Sequence, residues 1–234
     1  MENTSVSIET TRENGAGETL ASLVYDRLLQ DILKGNLEPG LKLRLQVLKQ
    51  DYDVGNSPLR EALNRLSENG MVIREENKGF RVAPTSVAEL EELIRTRCWL
   101  EEIALRESIK NGDDEWEERV VLAFHRLSRV STSNNDPDVY ISKQWELRHR
   151  NYHLAVLSAC NSDILLGYCT QLHEKTLRYR NLAAVVEYRE RHELDEHRAL
   201  QDAVLDRNAD LAVELLNKHF RVTADIVISS GSIS

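Results

Sequence analysis

The chain of 234 residues carries 30 Lys and Arg against 39 Asp and Glu, a formal net charge of −9, and is 41% hydrophobic with only 10 Gly and 4 Pro. Those proportions exclude collagen-like, linker-rich and wholly disordered chains, and suit one large or two unequal domains with real cores. No run approaches 18 apolar residues and the start is polar, so neither a membrane span nor a secretory leader is expected and the expected location is cytoplasmic. Cys98, Cys160 and Cys169 are odd in number and lack C-x-x-C spacing, which argues against a disulfide framework and against a thiolate zinc knuckle.

A net negative charge argues against nucleic-acid binding, but the charge is unevenly spread. Residues 1–18 hold one basic and four acidic side chains, residues 19–84 ten and nine, and residues 85–234 nineteen and twenty-six. The acidity therefore sits mainly in the larger carboxy-terminal part, and residues 19–84 are left free of the excess that would repel a polyanion.

Residues 1–18, polar and without periodicity, read as a disordered tail. From Leu20, Val24, Leu28 and Ile32 recur every four residues until Gly35, the pattern of an amphipathic helix. After the Glu38-Pro39-Gly40 turn, 45–52 is a short second helix with Leu45 and Leu48 inward. A third spans 57–69, with Ser57 as N-cap, Pro58 at the first helical position, Leu59, Leu63 and Leu66 as its buried stripe, and Gly70 as stop. Met71 to Arg74 and Phe80 to Ala83 are β-type runs joined by a turn rich in Asn and Gly. Three helices and a hairpin make a winged helix over residues 19–84.

Pro84 ends that unit. Ser86 followed by Glu89 has capping-box spacing and opens a new helix. From there no strand signal remains: helices are expected at 86–110, 114–130, 138–159, 162–184, 187–207 and 209–228, a six-helix bundle over 85–228, with 229–234 as a tail. The expected fold is mainly α, a winged helix-turn-helix followed by an all-helical domain.

A helix-turn-helix reads DNA by placing the amino-terminal side chains of its second helix against base edges in the major groove while neighbouring groups grip phosphates. Helix 57–69 is that candidate. The stretch Val54-Gly55-Asn56-Ser57-Pro58-Leu59-Arg60-Glu61-Ala62-Leu63, followed by Arg65-Leu66, Gly70-Met71-Val72 and Gly79-Phe80-Arg81-Val82, resembles the amino-terminal domain of GntR-family transcription regulators. The resemblance places the DNA-contacting positions at Gln46, Asn56, Ser57, Arg60, Lys78 and Gly79. Arg60 is the candidate for bidentate binding to guanine O6 and N7, with ion pairing to Glu61 or Glu68 as its alternative. Many relatives have Arg where this chain has Gln46 and Asn56, which sets its expected operator apart from the family consensus.

In the first helix of the second domain, Leu90, Leu93, Ile94, Leu100 and Ala104 mark the apolar face, and the heptad from Leu90 to Ala104 passes through Arg97. A guanidinium near a buried stripe needs an anion. Glu101, one turn on, is the favoured source, and a ligand carboxylate is the alternative. His149 and His153 stand at i and i+4, so one helix presents both rings on one face, the separation that lets two imidazoles share a metal. His197 and His219 lie in other amphipathic helices, whereas His125, His173 and His192 read as surface or packing residues.

Residues 86–228 resemble the FCD domain, the helical sensor of the FadR branch of the GntR family, through Arg97-x-x-x-Glu101, Tyr152-His153, Glu196-His197 with Ala203-Val204, and Leu216-Asn217-Lys218-His219-Phe220. In that family an Asp and three His bind a divalent metal, commonly zinc, beside a small carboxylate effector. The resemblance therefore groups His153, His197 and His219 as ligands, with His149 in the place of the Asp. Four neutral imidazoles leave a divalent cation without charge compensation, which implies either a stronger pull on an anionic effector or a site without metal. Such a set suits Zn, Ni or Cu better than Mg or Ca. Three short blocks, around Trp116, Trp145 to His149 and Leu177 to Arg180, are similar to glutarate-responsive repressors of this branch, which implies a dicarboxylate effector and makes Arg97, Arg148 and Arg178 its clamps.

The expected function is a homodimeric repressor that reads a palindromic operator and is released by a small carboxylate. Two rival readings exist. A metalloenzyme using the His cluster has against it the lack of HExxH, GxSxG or a phosphate loop. A constitutive DNA-binding protein with a structural metal would be indifferent to small acids.

Overall fold

In the computed structural model, the described residues are 19–76, 78–133, 143–183 and 192–233. The expected tail at 1–18, the first turn of the helix expected from 138, and the stretch 184–191 lie outside them. Two separate hydrophobic cores form, one from α1 to β3 and one within the helices that follow.

The amino-terminal core is built from α1 (Leu20–Leu33), β1 (Lys42–Leu43), α2 (Leu45–Asp51), α3 (Asn56–Glu68), β2 (Val72–Glu75) and β3 (Gly79–Val82). Val24, Leu28 and Ile32 of α1 meet Leu59, Leu63 and Leu66 of α3, all essentially inaccessible. Each such side chain stabilises the domain by about 1.5 to 3 kcal/mol on burial. Thr19 caps α1 by accepting from the Ser22 amide, and Gly70, at φ +71°, ends α3 in a left-handed turn that L side chains resist.

Two details differ from the sequence reading. Helix α3 starts at Asn56, with Gly55 rather than Ser57 as N-cap and no side-chain capping bond. Pro58 still falls in the first turn, where helical amides lack acceptors, so the shift by one residue costs nothing. The wing is a three-stranded sheet in the order β1-β3-β2, antiparallel throughout, with Leu43 opposite Phe80 and Val72 opposite Val82. A two-residue strand such as β1 has no periodicity to read, and only its pairing with β3 makes it a strand.

The second core joins α4 (Val87–Asn111), α5 (Asp114–Ser133), α6 (Lys143–Leu157), α7 (Asp163–Ala183), α8 (Glu193–Leu205) and α9 (Ala209–Ser229). Helix α4 packs on α6, α7 and α9, α5 lies against α6 and α8, and α8 runs beside α9. Ser86 caps α4 by accepting from the Glu89 amide at 3.1 Å. The reciprocal half of the box is not made, because the Glu89 carboxylate accepts instead from the Tyr179 hydroxyl at 2.5 Å and lies 3.4 Å from Arg178. The α4–α5 corner closes on Gly112, whose missing Cβ leaves room for the fully buried Trp116 ring, and the indole donates to the Ala155 carbonyl at 3.0 Å.

Candidate DNA interface and buried histidine centre

The amino-terminal turn of α3 faces solvent, with Asn56, Ser57 and Arg60 exposed, and Gln46 on α2 is exposed as well. No acidic side chain lies within ion-pair distance of Arg60 among the described residues, so the pairing with Glu61 or Glu68 is not made. At the wing tip Lys78 is exposed and Gly79 takes φ +96°, with open space where a Cβ would stand. These groups offer hydrogen-bond donors, positive charge and an unobstructed backbone, the chemistry needed to meet base edges and phosphates.

The four histidines come from three helices. His149 and His153 project from one face of α6, His197 from α8 and His219 from α9, all buried, with one ring nitrogen of each within 4.8 Å of the others. Nε2 of His153 lies 3.1 Å from Nε2 of His149 and 3.3 Å from Nε2 of His197. The partners of the other ring nitrogens define the chemistry. His197 Nδ1 donates to the Glu193 carbonyl at 2.7 Å, and His219 Nδ1 donates to the Glu196 carboxylate at 2.8 Å. Carbonyl and carboxylate oxygens only accept, so in the neutral ring Nε2 is the lone-pair atom of both, and it is turned to the centre. Tyr152 adds a bond from its hydroxyl to the His197 carbonyl at 2.8 Å, fixing α8 against α6. This donor set fits a borderline divalent cation, and hydrogen bonding of the outer ring nitrogen is the usual support of metal-ligating imidazoles.

The surroundings keep His149 and His153 neutral. Burial holds His149 well below the ordinary imidazole range, with the Arg180 guanidinium next in effect, and burial does the same for His153, followed by its neighbours His197 and His219. Arg180 reaches from α7 to donate to His149 Nδ1 at 3.0 Å and pairs with Glu146 at 3.2 Å. His173 donates from Nε2 to the other Glu146 oxygen at 3.2 Å. Burial raises the Glu146 pKa, but Arg180 and then His173 outweigh it and leave the carboxyl below its usual range. Glu193, 2% exposed, places Oε1 3.5 Å from His149 Nε2 and 3.9 Å from His219 Nε2.

The three arginines expected as carboxylate clamps separate. Arg97 is buried beside the centre, 3.9 Å above the Phe220 ring, and donates to Glu101 at 2.8 Å, so the intrahelical ion pair is made. Arg148 points elsewhere, into a surface groove lined by Arg119, Leu122, Ala123, Arg126 and Asn151, because one step along α6 from His149 turns a side chain by about 100°. Arg178 is occupied at the junction of the two cores, donating to the Ala83 and Pro84 carbonyls at 3.3 and 3.2 Å. Its neighbour Tyr179 accepts from the Ser86 amide at 3.4 Å. Helix α7 also packs on α1, and a Cβ at Gly70 would come within 3.1 Å of Lys175 Cε.

Sequence reasoning passed over Glu193, Arg180, Glu146 and Tyr179. Glu193-x-x-x-His197 has the same i, i+4 spacing that drew attention to His149 and His153, and was the available signal. Arg180 had none from spacing, since His149, Glu146 and Trp145, which it touches, lie thirty-one to thirty-five residues away.

A winged helix joined to a helical bundle with a histidine centre defines a DNA-binding transcription regulator with a sensor domain, and comparison with known proteins agrees. Residues 20–82 match the bacterial regulatory proteins of the gntR family and residues 92–222 match the FCD domain. The chain belongs to the GntR family, in its FCD-containing branch. It is 37% identical over 213 residues to the HTH-type transcriptional regulator BphR of Paraburkholderia xenovorans strain LB400, covering 91% of this chain and 87% of that protein. It is 34% identical over 209 residues to the HTH-type transcriptional repressor GlaR of Escherichia coli K12, covering 87% and 93%. The fold is that of the solved E. coli McbR/YncC, with a TM-score of 0.74 at 20% identity over 91% of this chain and 99% of that one.

Proposed function

We propose that the protein is a homodimeric repressor whose winged helices bind a palindromic operator through Gln46, Asn56, Ser57, Arg60, Lys78 and Gly79, and which a small carboxylate releases from DNA. The observation that carries the sensor reading is the double duty of α7. His173 and Arg180 stand in the buried centre, while Arg178 and Tyr179, adjacent in sequence, hold the segment that leads out of the winged helix. A change at the centre that moves α7 therefore alters the seat of the DNA-binding unit, which is the differential contact that ligand-driven population shift requires.

The repressor assignment is supported by the names of two relatives, GlaR and a D-xylose utilization operon regulator of Paenarthrobacter nicotinovorans that is 25% identical over 201 residues. A divalent metal, Zn before Ni, within the histidine cluster is supported by the convergence of ring nitrogens from three helices, and when bound it would supply positive charge to an anionic effector. Arg97, alone of the three expected clamps, stands next to that centre. Dimerisation is supported by Trp99 and Ile103, one turn apart on α4 and 60% and 54% exposed, an apolar surface for a second copy. Among the described residues no helix is long and apolar enough to cross a membrane.

The test is fluorescence anisotropy of an operator fragment selected from genomic DNA, titrated with zinc-loaded protein and then with glutarate and other mono- and dicarboxylates. Release by one acid at concentrations that leave its homologues without effect is the expected result. Binding that ignores every acid would refute the sensor reading, and failure to select any fragment would refute the DNA assignment.

A further inference from the structure

We propose that the metal set of the helical domain is His153, His197, His219 and the carboxylate of Glu193, and that His149 is a hydrogen-bond donor held outside that set by Arg180. The inference rests on the metal reading above and concerns which atoms fill it. Its basis is proton placement. A guanidinium never accepts a hydrogen bond, so the 3.0 Å contact from Arg180 to His149 Nδ1 makes that nitrogen the lone-pair atom. A neutral imidazole carries one N–H, and the proton of His149 therefore sits on Nε2, the nitrogen turned to the centre. A protonated nitrogen cannot ligate a cation. His197 and His219 are the reverse: their Nδ1 protons are donated outward to a carbonyl and a carboxylate, which leaves Nε2 as the ligating atom.

Arg180 is itself positioned. Its second nitrogen pairs with Glu146, which His173 grips from the other side, and its guanidinium lies 4.9 Å over the Trp145 ring, which in turn stacks on His149. The tautomer of His149 is thus imposed by a buried network and not by one adjustable contact. Its Nε2 proton faces two acceptors, His153 Nε2 at 3.1 Å and Glu193 Oε1 at 3.5 Å. Once His153 gives its lone pair to a cation, Glu193 is the remaining acceptor.

Glu193 has the position and the charge for the role. It opens α8 one turn before His197, is 2% exposed, and its Oε1 lies 3.9 Å from His219 Nε2, between the roughly 3.3 to 3.6 Å of neighbouring donors on a tetrahedral cation and the roughly 4.0 to 4.4 Å of opposite ones at bond lengths of about 2.0 to 2.2 Å. The set is then three imidazoles with one negative charge, the carboxylate coming from α8.

X-ray absorption of the zinc-loaded full-length protein counts ligating imidazoles through their outer-shell scattering. Three imidazoles with oxygen completing the shell are expected, and the same count is expected for His149→Gln, whose amide can accept from Arg180 and donate inward as the imidazole does. Four imidazoles in the native protein, falling to three in His149→Gln, would overturn the assignment while leaving the metal reading standing. A native protein that takes up no zinc would overturn both. For the carboxylate, Glu193→Gln is expected to weaken zinc binding by more than the roughly 10- to 100-fold that loss of an outer hydrogen-bond partner costs, in competition with a chromophoric chelator, and a loss within or below that range would remove Glu193 from the set.

Discussion

Replacing Arg178 with Ala tests whether the junction between the two cores is held by one buried side chain. Arg178 is 3% exposed, and its guanidinium donates to the carbonyls of Ala83 and Pro84 while facing the Glu89 carboxylate at 3.4 Å. Ala83 is 5% exposed, so its carbonyl loses a charged donor in a place water reaches poorly, a loss of about 1.5 to 3 kcal/mol. Pro84 is exposed, and half of the Glu89 side chain is open to solvent, so water replaces those contacts and about 1 kcal/mol more is lost. The total expected is about 2.5 to 4 kcal/mol. All three tryptophans, Trp99, Trp116 and Trp145, lie in the helical domain, which makes the measurement selective. In urea, tryptophan fluorescence follows that domain while far-ultraviolet circular dichroism follows both. The variant should separate the two transitions, with the winged helix unfolding at lower urea, and should lose effector control of DNA binding. Arg148→Ala, outside every contact of the junction, should move neither transition by more than about 0.5 kcal/mol. Coincident and unshifted transitions for Arg178→Ala would refute the reasoning.

Four further outcomes are expected. Arg60→Ala should weaken operator binding by about 1 to 3 kcal/mol in an anisotropy titration and flatten base preference at one position, while its melting temperature stays that of the native protein because the side chain is exposed. Gly112→Ala places a Cβ 2.1 Å from Trp116 Cε3, and since that ring is enclosed the variant should lose about 3 kcal/mol in urea unfolding; an unchanged midpoint would show that the corner can relax. Zinc at about 100 times its dissociation constant should add ~2.7 kcal/mol to the helical domain in a thermal-shift assay, and His153→Ala should abolish the gain. In metal-stripped protein, the depressed pKa values of His149 and His153 make stability complete above the unfolded-state value of 6.5 and reduce it as pH falls below, since the unfolded chain then binds protons that the native chain refuses. The slope is up to about 1.4 kcal/mol per pH unit for each histidine, and a urea midpoint that is flat from pH 7 to 5 would contradict the neutral, buried rings.

Much of the fold was legible because it is written in local signals. Val24, Leu28 and Ile32, then Leu59, Leu63 and Leu66, state two helices and their inward faces, and Ser86 with Glu89 marks where the long helix α4 begins. The i, i+4 pair of His149 and His153 likewise states that two rings share a face. What escaped was whatever depends on partners distant in sequence. Strand β1 exists through its pairing with β3. The capping box at Ser86 is only half made because Tyr179 and Arg178, 90 and 89 residues further along the chain, take the Glu89 carboxylate.

The arginines set the boundary most clearly. The sequence by itself determined that Arg97 sits near a buried stripe one turn before Glu101, and the ion pair follows from helix geometry alone. It could not distribute roles among Arg148, Arg178 and Arg180, because a helix of 3.6 residues per turn aims neighbouring side chains at different surroundings and those surroundings are assembled by other helices. Helix identity, apolar faces and the recognition-helix motif are properties of nearest neighbours along the chain, so they can be read there. The proton on His149, the approach of Glu193 and the grip of Arg178 on the linker are properties of neighbours in space, and only the packing of α6, α7 and α8 decided them.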